Sequence, residues 1–140
     1  MDKKHLKILE LLSLVAEEVD VGQQRSNARL AAAVVYKNEI VAIGVNQKKS
    51  HPFQAKFGKN GHAIFLHAEI SAIKNALQHI DEKELSKSTL YVCRVKYVSP
   101  RKGSFTWGLA KPCVGCQRAI VTFDIKSVIY SEEGLSLIHI

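Results

Sequence analysis

Between residues 6 and 19 the apolar positions Ile8, Leu11, Leu12, Val15 and Val19 recur at helical spacing, with Lys7, Glu10, Glu17 and Glu18 off that stripe. The pattern predicts an amphipathic helix that covers a core, with Asp2 as its cap and Gly22 as its exit. Two apolar runs follow a polar link. Leu30-Ala31-Ala32-Ala33-Val34-Val35-Tyr36 reads as a buried strand, although alanine is a poor strand former. Ile40-Val41-Ala42-Ile43-Gly44-Val45-Asn46 reads as a second, joined to the first by a tight turn at Lys37-Asn38-Glu39, which makes an antiparallel hairpin. Residues 47–61 form a long polar loop holding Lys48, Lys49 and His51, and such loops in small domains more often carry function than idle.

Helical signals resume at Ala63 and run to about His79, closed by Asp81-Glu82-Lys83-Glu84. Residues 89–98 read as a strand that leaves the core for solvent after Cys93. Residues 99–111 resemble an inserted loop, in which Phe105 and Trp107 serve either as loop anchors or as a base-stacking lid. A helix from Cys113 to about Phe123 and a short buried strand over residues 126–130 complete the order α-β-β-α-β-α-β, which argues for a mixed sheet with helices packed on it.

A chain of 140 residues suits one domain, and 46% hydrophobic with 24% charged residues argues against disorder over most of it. The sequence holds no apolar stretch near the roughly 18 residues of a membrane span, and its start lacks a signal-peptide core. A cytoplasmic protein is expected. The formal charge of +7 suits either an anionic partner or simply a solvated basic surface. Leu135-Ser136-Leu137-Ile138-His139-Ile140 could be one more strand. The six residues are also what CTG TCT CTT ATA CAC ATC encodes, a string resembling a transposon-end adapter of sequencing libraries. That reading is preferred, so residues 1–134 are expected to be a single, C-terminally truncated domain and 135–140 not native.

Within the apolar run Ile64-Phe65-Leu66-His67-Ala68-Glu69-Ile70, a histidine and a carboxylate are costly unless something pairs with them. Downstream lies Pro112-Cys113-Val114-Gly115-Cys116, a C-x-x-C that favours metal over a disulfide in a reducing compartment. His67, Cys113 and Cys116 make an accepted three-ligand set for catalytic zinc, with a position left for water. Cysteines at a helix start are also favoured as thiolates. Taken alone, His67 could be an ordinary core histidine and Glu69 a helix-surface residue. Beside a metal, Glu69 can move protons to and from water without binding the ion. Cys93 reads as a small buried hydrophobe.

His67-Ala68-Glu69 with Pro112-Cys113-Val114-Gly115-Cys116 resembles the zinc-dependent cytidine and deoxycytidylate deaminase family, whose signature is H-x-E…P-C-x-x-C. The resemblance extends over residues 30–130 and includes Gly44-Val45-Asn46, which matches a G-x-N of the family. It implies a three-layer α/β/α cytidine deaminase-like fold with a central mixed sheet. It also implies a Zn2+ cofactor, hydrolytic attack at C4 of cytosine with loss of ammonia, and Glu69 protonating N3 and then the amino group. Asn46 would contact sugar or base, and Ala68 would lie against the pyrimidine carbonyl side; Pro112 and His51 are further candidate substrate contacts. A homo-oligomer in pyrimidine salvage would be in keeping.

Two departures bear on substrate. The 42 residues between Glu69 and Pro112 exceed the compact family spacing, and Leu109-Ala110-Lys111 replaces the usual polar lead into the cysteines. The expected activity is deamination of a cytosine nucleoside or nucleotide, with deoxycytidylate preferred because the basic loops suit a phosphate. Deamination of a polynucleotide base, either single-stranded cytosine or tRNA adenosine, is the alternative, and a non-catalytic zinc-stabilised binding module is a third.

Overall fold

A computed structural model describes residues 2–19, 28–47, 67–99 and 104–133. Helix α1 (Lys3–Glu17) precedes the hairpin β1 (Arg29–Tyr36) and β2 (Glu39–Val45), then come helices α2 (Ala68–Ala76) and α3 (Glu82–Leu85). Strands β3 (Thr89–Ser99) and β4 (Ser104–Gly108), helix α4 (Val114–Thr122) and strand β5 (Ser127–Tyr130) complete it. The long loop with His51, the start of the expected helix at 63–66 and the segment 135–140 lie outside the described residues.

The sheet is mixed and organised on β3. One edge of β3 pairs antiparallel with β1 from Thr89 to Val95. The other edge is shared: β5 runs parallel to residues 89–92, and β4 antiparallel to residues 94–99. Strand β2 lies outside β1. Alternation along β1 and β3 then divides the core. Ala31, Ala33, Val35, Tyr91, Cys93 and Val95 face α1 with Leu9, Leu12 and Trp107. Ala32, Val34, Leu90 and Val92 face α2 and α4. The three-layer α/β/α arrangement is therefore as expected. The alanines that weakened the strand pattern of β1 lie buried on both faces, where small side chains let helices approach from either side.

Local chemistry accounts for the boundaries. The Asp2 carboxylate accepts from the Lys4 N–H at 2.7 Å and caps α1. Lys37 and Asn38 both have positive φ (51° and 68°), the requirement of a two-residue turn whose twist matches the strands it joins. Helix α4 ends with Asp124 at φ 54°, the Asp124 N–H donating to the Val121 carbonyl and the Ile125 N–H to that of Ile120, a Schellman termination.

Several expectations need correction. The buried face of α1 is Leu9, Leu12, Ser13 and Ala16, while Leu11 on the predicted stripe is exposed. The phase slips by one residue because alanine and serine fill core positions that the hydrophobic pattern passes over. Asp81 does not close α2. It opens the separate helix α3, where Asp81 and Glu84 form a reciprocal capping box. The segment 99–111 is not simply a loop: Ser104–Gly108 folds back on β3 as β4, and Trp107 is 2% exposed in the core against α1, so its ring is not a stacking lid. The order becomes α-β-β-α-α-β-β-α-β. Strand β5 is only half-buried.

Candidate active site

Two helix starts meet at one point. His67 and Cys113 are the cap residues of α2 and α4, both with extended backbone (ψ 157° and 171°). The His67 side chain makes no capping bond to its own helix. Its Nδ1 lies 3.4 Å from the Sγ of Cys113 and 3.4 Å from that of Cys116. All three ligand atoms fall within 4.8 Å of one another. Tetrahedral zinc bonded at about 2.0–2.1 Å to nitrogen and about 2.3 Å to sulfur sets those atoms about 3.5 Å apart, so the group fits the ion. The Cys116 N–H also donates to the Cys113 sulfur at 3.4 Å, an orphan helix N–H aimed at a ligand.

The position of α2 is set by a close approach to β2. A Cβ on Gly44 would stand 2.3 Å from the Ala72 nitrogen and 2.7 Å from the Ala68 carbonyl oxygen. Glycine here is thus a packing requirement. The Asn75 amide donates to the Ile43 carbonyl at 3.0 Å and fixes the same contact. Gly44-Val45-Asn46 therefore serves the site twice: glycine seats the helix that carries His67 and Glu69, and Asn46 reaches the cavity beside them.

That cavity measures about 280 Å3, at the small end of ligand sites. His67, Ala68, Glu69, Cys113 and Asn46 all line it. Asn46 is held by two backbone bonds: Oδ1 accepts from the Leu30 N–H and Nδ2 donates to the Ala28 carbonyl, both at 2.9 Å. One amide hydrogen and one acceptor lone pair remain. Pro112 is buried ahead of α4, its carbonyl accepting from the Gln117 side chain at 2.7 Å, and is not among the lining residues. His51 lies outside the described residues.

Charge in the site is tightly shared. Glu69 is 4% exposed, and burial raises its carboxyl above the usual carboxylate range against the opposing pull of its own backbone N–H. Hydrogen bonding to Cys116 and then to His67 draws the Cys113 thiol down to about 3. The same bond to Cys113, with burial, pushes Cys116 up, and the Cys113 contact raises His67. One sulfur is thus disposed to be a thiolate before any metal arrives.

Two charged lining residues were given no role in the site from the sequence. Arg94 and Lys111 bring positive charge to the cavity, and the Arg94 Nε is buried without a hydrogen-bond partner. Ser131, fully buried, joins the two strands that share the edge of β3. Its hydroxyl accepts from the Arg94 N–H (3.1 Å) and donates to the Gly108 carbonyl (2.8 Å), while its carbonyl accepts from the Ala110 N–H (3.0 Å). It thereby fixes the strand end that leads into Lys111 and the cysteines. No sequence signal marks a serine for such a role; Arg94 could have been noticed as a charge next to the core residue Cys93.

The family profile described as "Cytidine and deoxycytidylate deaminase zinc-binding region" matches residues 2–132. No curated protein matches. Among solved structures, the dCMP deaminase of the cyanophage S-TIM5 in complex with dCMP and dUMP superposes with a TM-score of 0.59 at 18% identity, over 93% of this chain and 82% of that one. Guanine deaminase from Bacillus subtilis gives 0.53 at 21% identity, over 94% and 65%. RibD of Acinetobacter baumannii gives 0.55 at 16% identity, over 92% of this chain but 28% of the other. At these identities the likeness is one of fold.

Proposed function

Since the chain belongs to the cytidine and deoxycytidylate deaminase zinc-binding family, we propose that it hydrolyses the amino group of a cytosine nucleotide or nucleoside, deoxycytidylate in preference, to give the uracil form and ammonia. The observation that carries the reading is a buried carboxylate, Glu69, lining the same cavity as His67 and Cys113 of the ligand group. A zinc-stabilised binding module has no use for such a group.

His67, Cys113 and Cys116 would hold the zinc ion, which would supply Lewis acidity and lower the pKa of water toward neutral. Glu69 takes a proton from the attacking water and delivers it to the ring nitrogen N3, then moves the water's second proton, from the hydroxyl formed at C4, to the amino group, so that a C–O bond forms at C4, the C–N bond breaks and ammonia leaves. Asn46, held by Ala28 and Leu30, offers its remaining amide hydrogen and lone pair to the sugar or base. The backbone of Ala68 faces the pyrimidine carbonyl side. Arg94 and Lys111 favour a monophosphate over a nucleoside, because two cations lining one cavity are better offset by an anion than by a neutral ligand.

The polynucleotide alternative loses one of its supports, since the Trp107 ring is in the core. Among the described residues no helix is long and apolar enough to cross a membrane. The deciding experiment is ammonia release from the zinc-loaded protein over cytosine, cytidine, deoxycytidine, their monophosphates, guanine and a single-stranded oligonucleotide. The highest kcat/KM is expected on a cytosine monophosphate; turnover confined to guanine or to the oligonucleotide would overturn the assignment.

A further inference from the structure

A second and larger cavity, about 470 Å3, lies at the other end of the sheet, where β1 ends and β3 begins. The run of β1 from Arg29 to Val35 separates it from the candidate active site by roughly 20 Å of strand rise. Four separate segments each bring one lysine to it: Lys4 from α1, Lys37 from the hairpin turn, Lys87 from the end of α3 and Lys126 from the lead into β5. Backbone bonds hold this assembly in place, including the Lys126 N–H to the Ser88 carbonyl at 3.1 Å.

Among the described residues no carboxylate lines the cavity, and none of the four lysines forms an ion pair with another described residue. Lys4 bonds the Asn38 side chain, and the Lys37 ammonium sits 5.4 Å from the centre of the Tyr36 ring; both partners are neutral. Asp2, which caps α1, is the nearby acid, and its single charge offsets one of the four ammoniums. Gathering four like charges in one concavity is unfavourable in itself, and the concave shape concentrates their field. A bound polyanion would offset both effects. The groups are ammoniums, compact point charges with three rotatable donors each, which bind phosphate oxygens without imposing a planar geometry. The hydroxyls of Tyr91 and Thr89 on the same wall are engaged with His5 (2.6 Å) and Ser127 (2.9 Å), which leaves the lysines as the groups that face a ligand. The volume exceeds what one phosphate fills.

We propose that this cavity is a binding site for a compact oligophosphate group, distinct from the candidate active site. The test is calorimetric titration of the zinc-loaded full chain with inorganic tripolyphosphate at moderate salt. Saturable one-site binding is expected, weakened at least about tenfold by the exposed double substitution Lys87→Gln/Lys126→Gln. Arg118→Gln/Lys7→Gln removes equal charge from positions outside the cavity and should leave binding within about twofold. A parallel titration with a nucleoside triphosphate identifies the source: tighter binding than tripolyphosphate points to a nucleotide tail, equal binding to free oligophosphate. Absence of saturable binding would overturn the proposal. So would equal weakening in both double variants, or preference for a single-stranded oligonucleotide with the same lysine dependence, which would make the surface a nucleic-acid contact.

Discussion

His67 and Cys113 each cap the start of a helix, and 3.4 Å separates the imidazole Nδ1 of one from the sulfur of the other across 46 residues of sequence. A metal at that point ties the two helix starts together and so joins folding to cofactor binding.

Cys113→Ala should therefore lose metal and stability in one step. Structural zinc sites contribute on the order of 10 kcal/mol of apparent binding energy, so a large fall in melting temperature is expected alongside a zinc content near zero. Metal analysis of the purified variant beside a thermal melt checks both, and a folded, zinc-replete Cys113→Ala protein would contradict the ligand assignment.

Gly44→Ala tests whether helix seating positions the site. The added methyl would meet the Ala72 nitrogen at 2.3 Å and two further backbone atoms of α2 at 2.7 Å, none of which can swing aside as a side chain would. Overpacking of this kind costs about 1–3 kcal/mol. Because α2 must move outward, a fall in zinc affinity should accompany the destabilisation seen in urea. Unchanged stability and affinity would show that the approach is looser than the distances indicate.

Much of this could be read from the chain, and the failures have identifiable causes. The H-x-E and C-x-x-C spacings pointed to His67, Cys113 and Cys116, which the fold brings together at two helix starts as a group able to hold a metal. The hairpin was legible from its β-branched runs and short turn, though Lys37 at positive φ carries none of the usual Asn-Gly signal. Strand β4 was not legible: only five residues long, it has an apolar pattern dominated by Phe105 and Trp107, which in isolation suit an exposed loop equally well. The phase of α1 was misjudged because Ser13 and Ala16 are buried where larger apolar residues would have announced a core face. The clustering of lysines from four segments is a property of tertiary structure alone.

Cys93 supplies a pH test away from the metal ligands. It is fully buried, and burial pushes its thiol from the ordinary 9.0 up to about 12. The folded thiol resists ionisation while the unfolded one does not. Its contribution to stability is therefore complete below about pH 9 and declines as pH rises toward 12. Iodoacetamide at pH 8 should leave Cys93 unmodified in the native protein and label it after unfolding; rapid native labelling would contradict the burial.

Glu69→Gln tests the central claim most directly. The amide keeps the size of the side chain and removes its ability to exchange a proton, so the variant should retain zinc at wild-type stoichiometry and its fold. Its turnover, measured as ammonia release on the preferred substrate of the screen, should fall by about 10²- to 10⁴-fold. A zinc-replete Glu69→Gln protein with near-normal turnover would show that the buried carboxylate is not the proton-transfer group, and the proposed mechanism would fail with it.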